Sequence, residues 1–151
     1  MSKARLAAQS RSRLDERFKE LGPVARYNSP VRGWIKAVRE ALGMTTAQLA
    51  KRLGVKQPSV VAIEQSEAKG TIELATLRRA AEALDCTVVY ALVPNKPLEA
   101  MVRDRARLFA RKRREAVEHS MMLEDQKVKA RDSQTRLDDI VRETNPRLFW
   151  D

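Results

Sequence analysis

Cysteine and histidine each occur once in 151 residues, as Cys86 and His119. One thiol excludes an internal disulfide, and one thiol with one imidazole falls short of a common zinc site. Cys86 heads an apolar run, where the expected role is a buried structural thiol. Aromatic residues make up 5% of the chain, which predicts a small, helix-rich core. Long apolar stretches are missing: the longest, Val88 to Pro94, is far shorter than the ~20 residues of a membrane helix. No signal peptide, internal repeat or low-complexity tract is visible, so the expected location is cytoplasmic, with no membrane contact. There is no Cys–His pair, metal cluster or phosphate-cradling loop. The acidic pairs Asp15–Glu16, Glu124–Asp125 and Asp138–Asp139 read as charged helix faces. The chain is therefore expected to be no enzyme and to hold no cofactor. An RNA-binding platform of aromatics interleaved with basic residues is missing too.

Positive charge is abundant. The net charge is +10 at pH 7, with charged residues at 33%. Residues 1–28 carry 7 basic and 3 acidic groups, residues 29–95 carry 9 and 6, and residues 96–151 carry 14 and 11. The excess is spread over the chain and favours a polyanionic partner.

The most informative stretch is Thr45 to Gln65, TTAQLAKRLGVKQPSVVAIEQ. Thr45 is placed to cap a first helix, on which Leu49 and Leu53 share one face. Gly54 can end that helix in the left-handed conformation. Gln57 and Pro58 open a second helix, with Pro58 where a missing N–H costs nothing. Ala50 is small where the helices approach, Val60 and Ile63 face inward, and Gln57, Ser59 and Ala62 face out. This pattern is a helix-turn-helix, whose second helix enters the DNA major groove. Through Gln48–Ala50, Leu53–Val55, Ser59, Val60, Ile63 and Glu64 the stretch resembles the DNA-binding domains of phage repressors and XRE-type regulators. The resemblance implies base contacts from Lys56, Gln57, Ser59, Ala62 and Gln65, and phosphate contacts from Thr45 and Thr46. Many relatives have glutamine where Thr46 stands. Lys51, Arg52 and Lys69 are further phosphate candidates, and Glu64 reads as structural.

Around this motif, residues 3–20 read as a helix with Leu6, Leu14, Phe18 and Leu21 on one side, ended by Gly22 and Pro23. It is an arm that packs on the domain or a partner, or touches DNA phosphate. Ser29 and Pro30 are expected to begin a helix whose core face is Trp34, Ile35, Val38 and Leu42. After Gln65 the residues SEAKG read as a loop, and residues 74–84 as a helix with Leu74, Leu77, Ala80, Ala81 and Leu84 along one side. Cys86 to Val93 reads as a strand, or as the end of that helix. A lone strand finds its partner in a second copy, so a homodimer reading a palindrome is expected. Residues 97–130 read as a long helix with Leu98, Met101, Leu108, Phe109 and Ala116 together. Its stripe of Arg103, Arg107, Arg111 and Arg114 is a solvated face, or a contact for DNA phosphate or an acidic partner. A helix over about 134–144 turns Leu137, Ile140 and Val141 inward, and the terminal RLFWD folds back or meets a partner.

The fold class expected is mainly α: a lambda-repressor-like helix-turn-helix bundle with one short dimerisation strand and helical extensions at both ends. Its parts are an arm at 1–28, the DNA-binding domain at 29–94 and an extension at 95–151.

Three stretches, RGWIKAVREALGM, LRRAAEALDCTVVYALVP and the terminal RLFWD, resemble the small regulators called mobile mystery protein A over roughly residues 10–151. That resemblance implies a gene pair with a Fic-domain protein, in which this chain is the antitoxin and represses its own operon. Direct inhibition of the Fic enzyme is the alternative implication. Some Fic antitoxins inhibit through a helix with Ser or Thr and a Glu four residues on, then Gly or Asn. Ser120 and Glu124 have the first part, as do Ser12 and Glu16, but Asp125 and Arg17 follow them.

Overall fold

The structure is a computed structural model that describes residues 2–120 and 130–151. The described residues form seven α-helices and two short 3-10 turns, with no β-strand among them. The chain divides into two compact units, residues 23–92 and residues 1–22 with 93–151.

In the 23–92 unit, four helices close on one core. They are α2 (Trp34–Ala41), α3 (Thr46–Leu53), α4 (Gln57–Lys69) and α5 (Leu74–Ala83). Ile35, Leu49, Ala50, Val60, Ala80 and Leu84 are buried together, with Val38, Met44, Leu53, Ile63 and Leu77 packed around them. Leu49 and Val60 are fully shielded from water, which stabilises the unit by about 1.5–3 kcal/mol for each. The expected caps form. Thr45 Oγ1 accepts from the Gln48 N–H at 3.1 Å, and Gln48 Oε1 accepts from the Thr45 N–H at 2.8 Å. Gly54 adopts φ 70°, and the Val55 N–H returns to the Ala50 carbonyl at 3.0 Å.

Four expectations for this unit need correction. The first helix begins at Trp34 and not at Pro30, because Pro30 to Gly33 forms a turn closed by the Gly33 N–H on the Pro30 carbonyl at 2.9 Å. Its orphan N–H at Ile35 is met by Glu67 Oε1 at 2.8 Å, a partner from another helix. Gly33 sits at φ 89°, and a Cβ there would fall 2.5 Å from that same Oε1. The starting residue is thus chosen by backbone freedom and by space for the Glu67 carboxylate. On α2, Trp34 and Leu42 are exposed, and only Ile35 and Val38 turn to the core. SEAKG is no loop: α4 runs through it to Lys69, since its Ser66 and Glu67 still face inward.

The fourth correction concerns Cys86, expected as a buried thiol but exposed, at the head of the run to Val93 that was read as a strand or as the end of the preceding helix. The helix before it ends at Ala83 and the chain turns at Leu84 and Asp85, with Asp85 at φ 54° and the Cys86 N–H on the Ala81 carbonyl at 2.8 Å. Asparagine and aspartate tolerate that conformation better than other side chains. The residues beyond are not assigned as a strand, and they leave Val89 87% and Leu92 82% exposed, with Cys86 exposed as well. A ladder needs a second strand, and a single copy of this chain provides none among the described residues. The Arg78 guanidinium lies 5.7 Å from the Tyr90 ring centroid.

In the other unit, α1 (Lys3–Leu21), α6 (Leu98–Ser120), α7 (Ala130–Glu143) and the 3-10 turn Pro146–Phe149 pack together. The core, of Val102, Ala106, Leu137 and Phe149, comes from residues read as the extension, and α1, read as an arm, packs against α6, α7 and the 3-10 turn around it. Ile140 and Val141 pack on it as expected. The faces of α1 and α6 differ from expectation. On α1, Ala4 and Arg11 are buried while Leu6 and Leu14 are exposed. On α6, Val102 and Ala106 are buried and Leu108 is exposed. Polar partners set these phases. Arg11 Nε meets Glu99 Oε2 at 2.8 Å, and the Asp15 carboxylate accepts from the Leu98 and Glu99 N–H groups at 2.8 and 3.2 Å. That carboxylate caps the start of α6, where free N–H groups and the helix dipole favour negative charge. Arg103 is paired with Asp138, so it leaves the proposed arginine stripe. The tail folds back: Phe149 is buried edge-on to Phe109 at 5.5 Å, and Arg105 Nε donates to the Phe149 carbonyl at 2.7 Å.

Ser120 is the last residue of α6 as described, and its proposed companion Glu124 lies outside the described residues. Ser12 and Glu16 stand on the exposed side of α1, where Glu16 pairs with Lys19 at 3.3 Å. Among the described residues, no helix is long and apolar enough to cross a membrane.

Candidate nucleic-acid interface

The interface is built on the N-terminal ends of α3 and α4. Gln57, the first residue of α4, donates from Nε2 to Thr46 Oγ1 at 2.8 Å. This bond holds the Gln57 side chain at the junction of the two helices. It uses one of the amide's two N–H groups, and the carbonyl oxygen and second N–H stay available. Those two are what an adenine edge requires, an acceptor for N6–H and a donor for N7. The Thr45 and Thr46 hydroxyls act as acceptors within the protein, so each keeps its own O–H to donate to phosphate. Lys56 precedes α4 as its N-cap without a side-chain hydrogen bond, which leaves the first N–H groups of α4 uncapped by side chains.

Along α4 the residues sort by angle. Val60 and Glu64 are buried, whereas Lys56, Gln57, Ser59, Ala62 and Gln65 are exposed. At 100° per residue, Ala62 and Gln65 lie opposite Val60, and Gln57, Val61 and Gln65 make an i, i+4, i+8 row. Val61 is exposed in that row, although sequence reading passed over it. Its apolar methyls suit contact with a thymine methyl. The signal for it was its position four residues after Gln57 and four before Gln65.

The phosphate candidates do not all come together. Thr45, Thr46 and Gln57 meet at the α3–α4 junction. Lys51 is exposed on α3. Arg52 is exposed too, but its Nη1 donates to the Ala83 carbonyl at 3.2 Å and so caps the end of α5. Lys69 is in the last turn of α4, about 18 Å along the helix from Gln57.

Two acidic side chains anchor α4 from behind. Glu64 and Arg39 are both buried, with Arg39 Nε on Glu64 Oε1 at 2.5 Å and Nη2 on Oε2 at 3.3 Å. A third N–H, on Nη1, meets the Met44 carbonyl at 2.8 Å. The hydrogen bond that Arg39 donates to Glu64 outweighs the cost of burial and raises the Arg39 pKa above its ordinary value, so this side chain stays charged. One helical turn on, Glu67 binds the Ile35 N–H. Glu64 and Glu67 thus tie the inner face of α4 to α2 at two points, which fixes the angle at which the outer face is presented. The structural reading of Glu64 agrees with this geometry, but sequence alone did not reveal its partner.

Residues 35–90 match the helix-turn-helix family model HTH_3. No curated protein and no solved structure matches the chain. The matched span runs from the first turn of α2 through α5 and includes every side chain just described at the α3–α4 junction, so residues 35–90 are a helix-turn-helix domain of the kind that reads DNA in transcriptional regulators.

Proposed function

We propose that this regulator is a sequence-specific repressor that binds a palindromic operator as a homodimer, inserting α4 into the major groove. The observation that carries the reading is the Gln57 amide, held by Thr46 with its adenine-pairing groups unused. Lys56, Ser59, Val61, Ala62 and Gln65 complete the base-facing set, and Thr45, Thr46 and Lys51 hold phosphate. Arg52 and Lys69 are outlying phosphate ligands. In the dimer, the exposed run around Val89, Tyr90 and Leu92 pairs with its copy across the two-fold axis, covering apolar side chains and unpaired backbone at once. Analytical ultracentrifugation checks this: the dimer should dissociate when Val89→Asp and Leu92→Asp are combined.

The test of groove reading is binding to the DNA upstream of the protein's own gene over a salt series. Gln57→Ala should lose about 1–3 kcal/mol of operator preference per half-site, while the salt slope stays as in the wild type. Equal preference in both proteins would remove Gln57 from the reading.

A second role is supported by the resemblance to mobile mystery protein A and by the size of the unit formed by residues 1–22 and 93–151. DNA reading does not call for this unit. In this role the protein is the cytoplasmic antitoxin of a Fic-domain enzyme, restrains it by direct binding, and represses the shared operon. Ser120 with Glu124 is the proposed inhibitory pair. Purified protein should then form a complex with the Fic protein encoded beside it.

A further inference from the structure

Within α6 the charges fall into two halves. In the first half Arg103 pairs with Asp138, while the single Asp104 carboxylate is shared by Arg107, at 3.1 Å, and by Lys96 just before the helix, which leaves one positive charge in excess there. Beyond it come Arg111, Lys112, Arg113 and Arg114, all exposed, and none has an ion pair among the described residues. Glu115 is the single acid from 111 to 117. Such a cluster does not help the helix. Like charges at i, i+3, as in Arg111 and Arg114, oppose it. Favourable interaction of cations with the helix dipole is confined to the last turn, and Arg114 lies six residues before Ser120.

We infer that α6 from Arg107 onward is a second, sequence-independent DNA contact, in which the Arg107, Arg111 and Arg114 face, flanked by Lys112 and Arg113, neutralises phosphates. This rests on the reading of the protein as a DNA-binding regulator. The three arginines recur at i, i+4, i+7 and so share one side of the helix. From Arg107 to Arg114 the rise is about 10 Å, the axial span of roughly three phosphates of one strand. Arginine is suited to this role, because its planar fork pairs two N–H groups with phosphate oxygens. DNA is the polyanion that a helix-turn-helix chain already meets. Phosphate neutralisation adds affinity wherever those phosphates lie, so the contact strengthens binding without reading sequence.

The test compares wild type, Gln57→Ala and the combined variant Arg111→Gln, Lys112→Gln, Arg113→Gln, Arg114→Gln. Each binds operator and scrambled duplexes from low to physiological salt. Glutamine is a good helix former at these exposed positions, and far-ultraviolet circular dichroism checks that the fold is kept. The combined variant should lose at least tenfold in affinity for both duplexes. Its slope of log affinity against log salt should fall by roughly 2–3, at about 0.9 for each phosphate that is no longer neutralised, with the operator preference unchanged. An unchanged slope and affinity in a wild-type background that prefers the operator would overturn the proposal and assign the cluster to an acidic protein partner. If wild type shows no operator preference but its slope still depends on the four cations, groove reading by α4 fails while the phosphate contact stands.

Discussion

Glu64→Ala should lower the stability of the helix-turn-helix unit by about 3–5 kcal/mol and its thermal midpoint by roughly 15–30 °C. Glu64 and Arg39 are both buried, and removing the carboxylate strands a guanidinium held charged in the interior. The wild-type pair itself contributes much less than this, because both groups gave up hydration to form it. The double variant Arg39→Met with Glu64→Leu should therefore recover most of the loss; what is not recovered includes the Met44 carbonyl, which loses its donor. Thermal unfolding followed by circular dichroism measures both. A cost below about 1 kcal/mol for Glu64→Ala would mean that Arg39 finds water or another partner. Operator binding of the double variant separates two roles of the pair. If stability returns but operator preference stays low, the pair sets the angle of α4 as well as its stability.

Phe149→Ala should cost the other unit about 3–5 kcal/mol, enough to unfold a core of this size. Phe149 is buried against Val102, Ala106 and Leu137, and its ring meets Phe109 at an interplanar angle of 78°. Truncation removes the ring and leaves a cavity in a small core. The Arg105 bond to the Phe149 carbonyl and the stacking of Arg105 on Trp150 at 5.4 Å lose their anchor as well. Hydrogen exchange read residue by residue should show protection falling in α1, α6 and α7 and kept in α3 and α4. Equal loss throughout would show that the two units unfold as one.

The motif was legible because its determinants are local. Thr45 with Gln48, Gly54, and the inward Val60 and Ile63 all act within one or two turns of chain. The exposed faces of Gln57, Ser59 and Ala62 follow from the same helical period. The two anchors of α4 were not legible in this way. Arg39 and Glu64 are 25 residues apart, and Glu67 reaches 32 residues back to the Ile35 N–H. Charge patterns predict solvated faces unless a partner is known, and here the partners come from other helices.

The amphipathic phase of α1 and α6 misled for a related reason. Sequence reading placed the largest apolar side chains inward, whereas the structure buries Ala4, Arg11 and Ala106 and exposes Leu6, Leu14 and Leu108. Close helix approach favours small residues, and the Arg11–Glu99 and Asp15 bonds fix the rotation of both helices. Local sequence was therefore enough to place most helices and the DNA-reading motif, because capping, backbone freedom and helical period act between near neighbours, and composition alone gives the cationic charge; the start of α2, set with Glu67 of another helix, was not legible in this way. Which charges are used inside the fold and which remain for a partner depends on how the helices pack. An ion pair costs desolvation and is favourable only where packing brings its two members together, and no spacing along the chain shows where that happens.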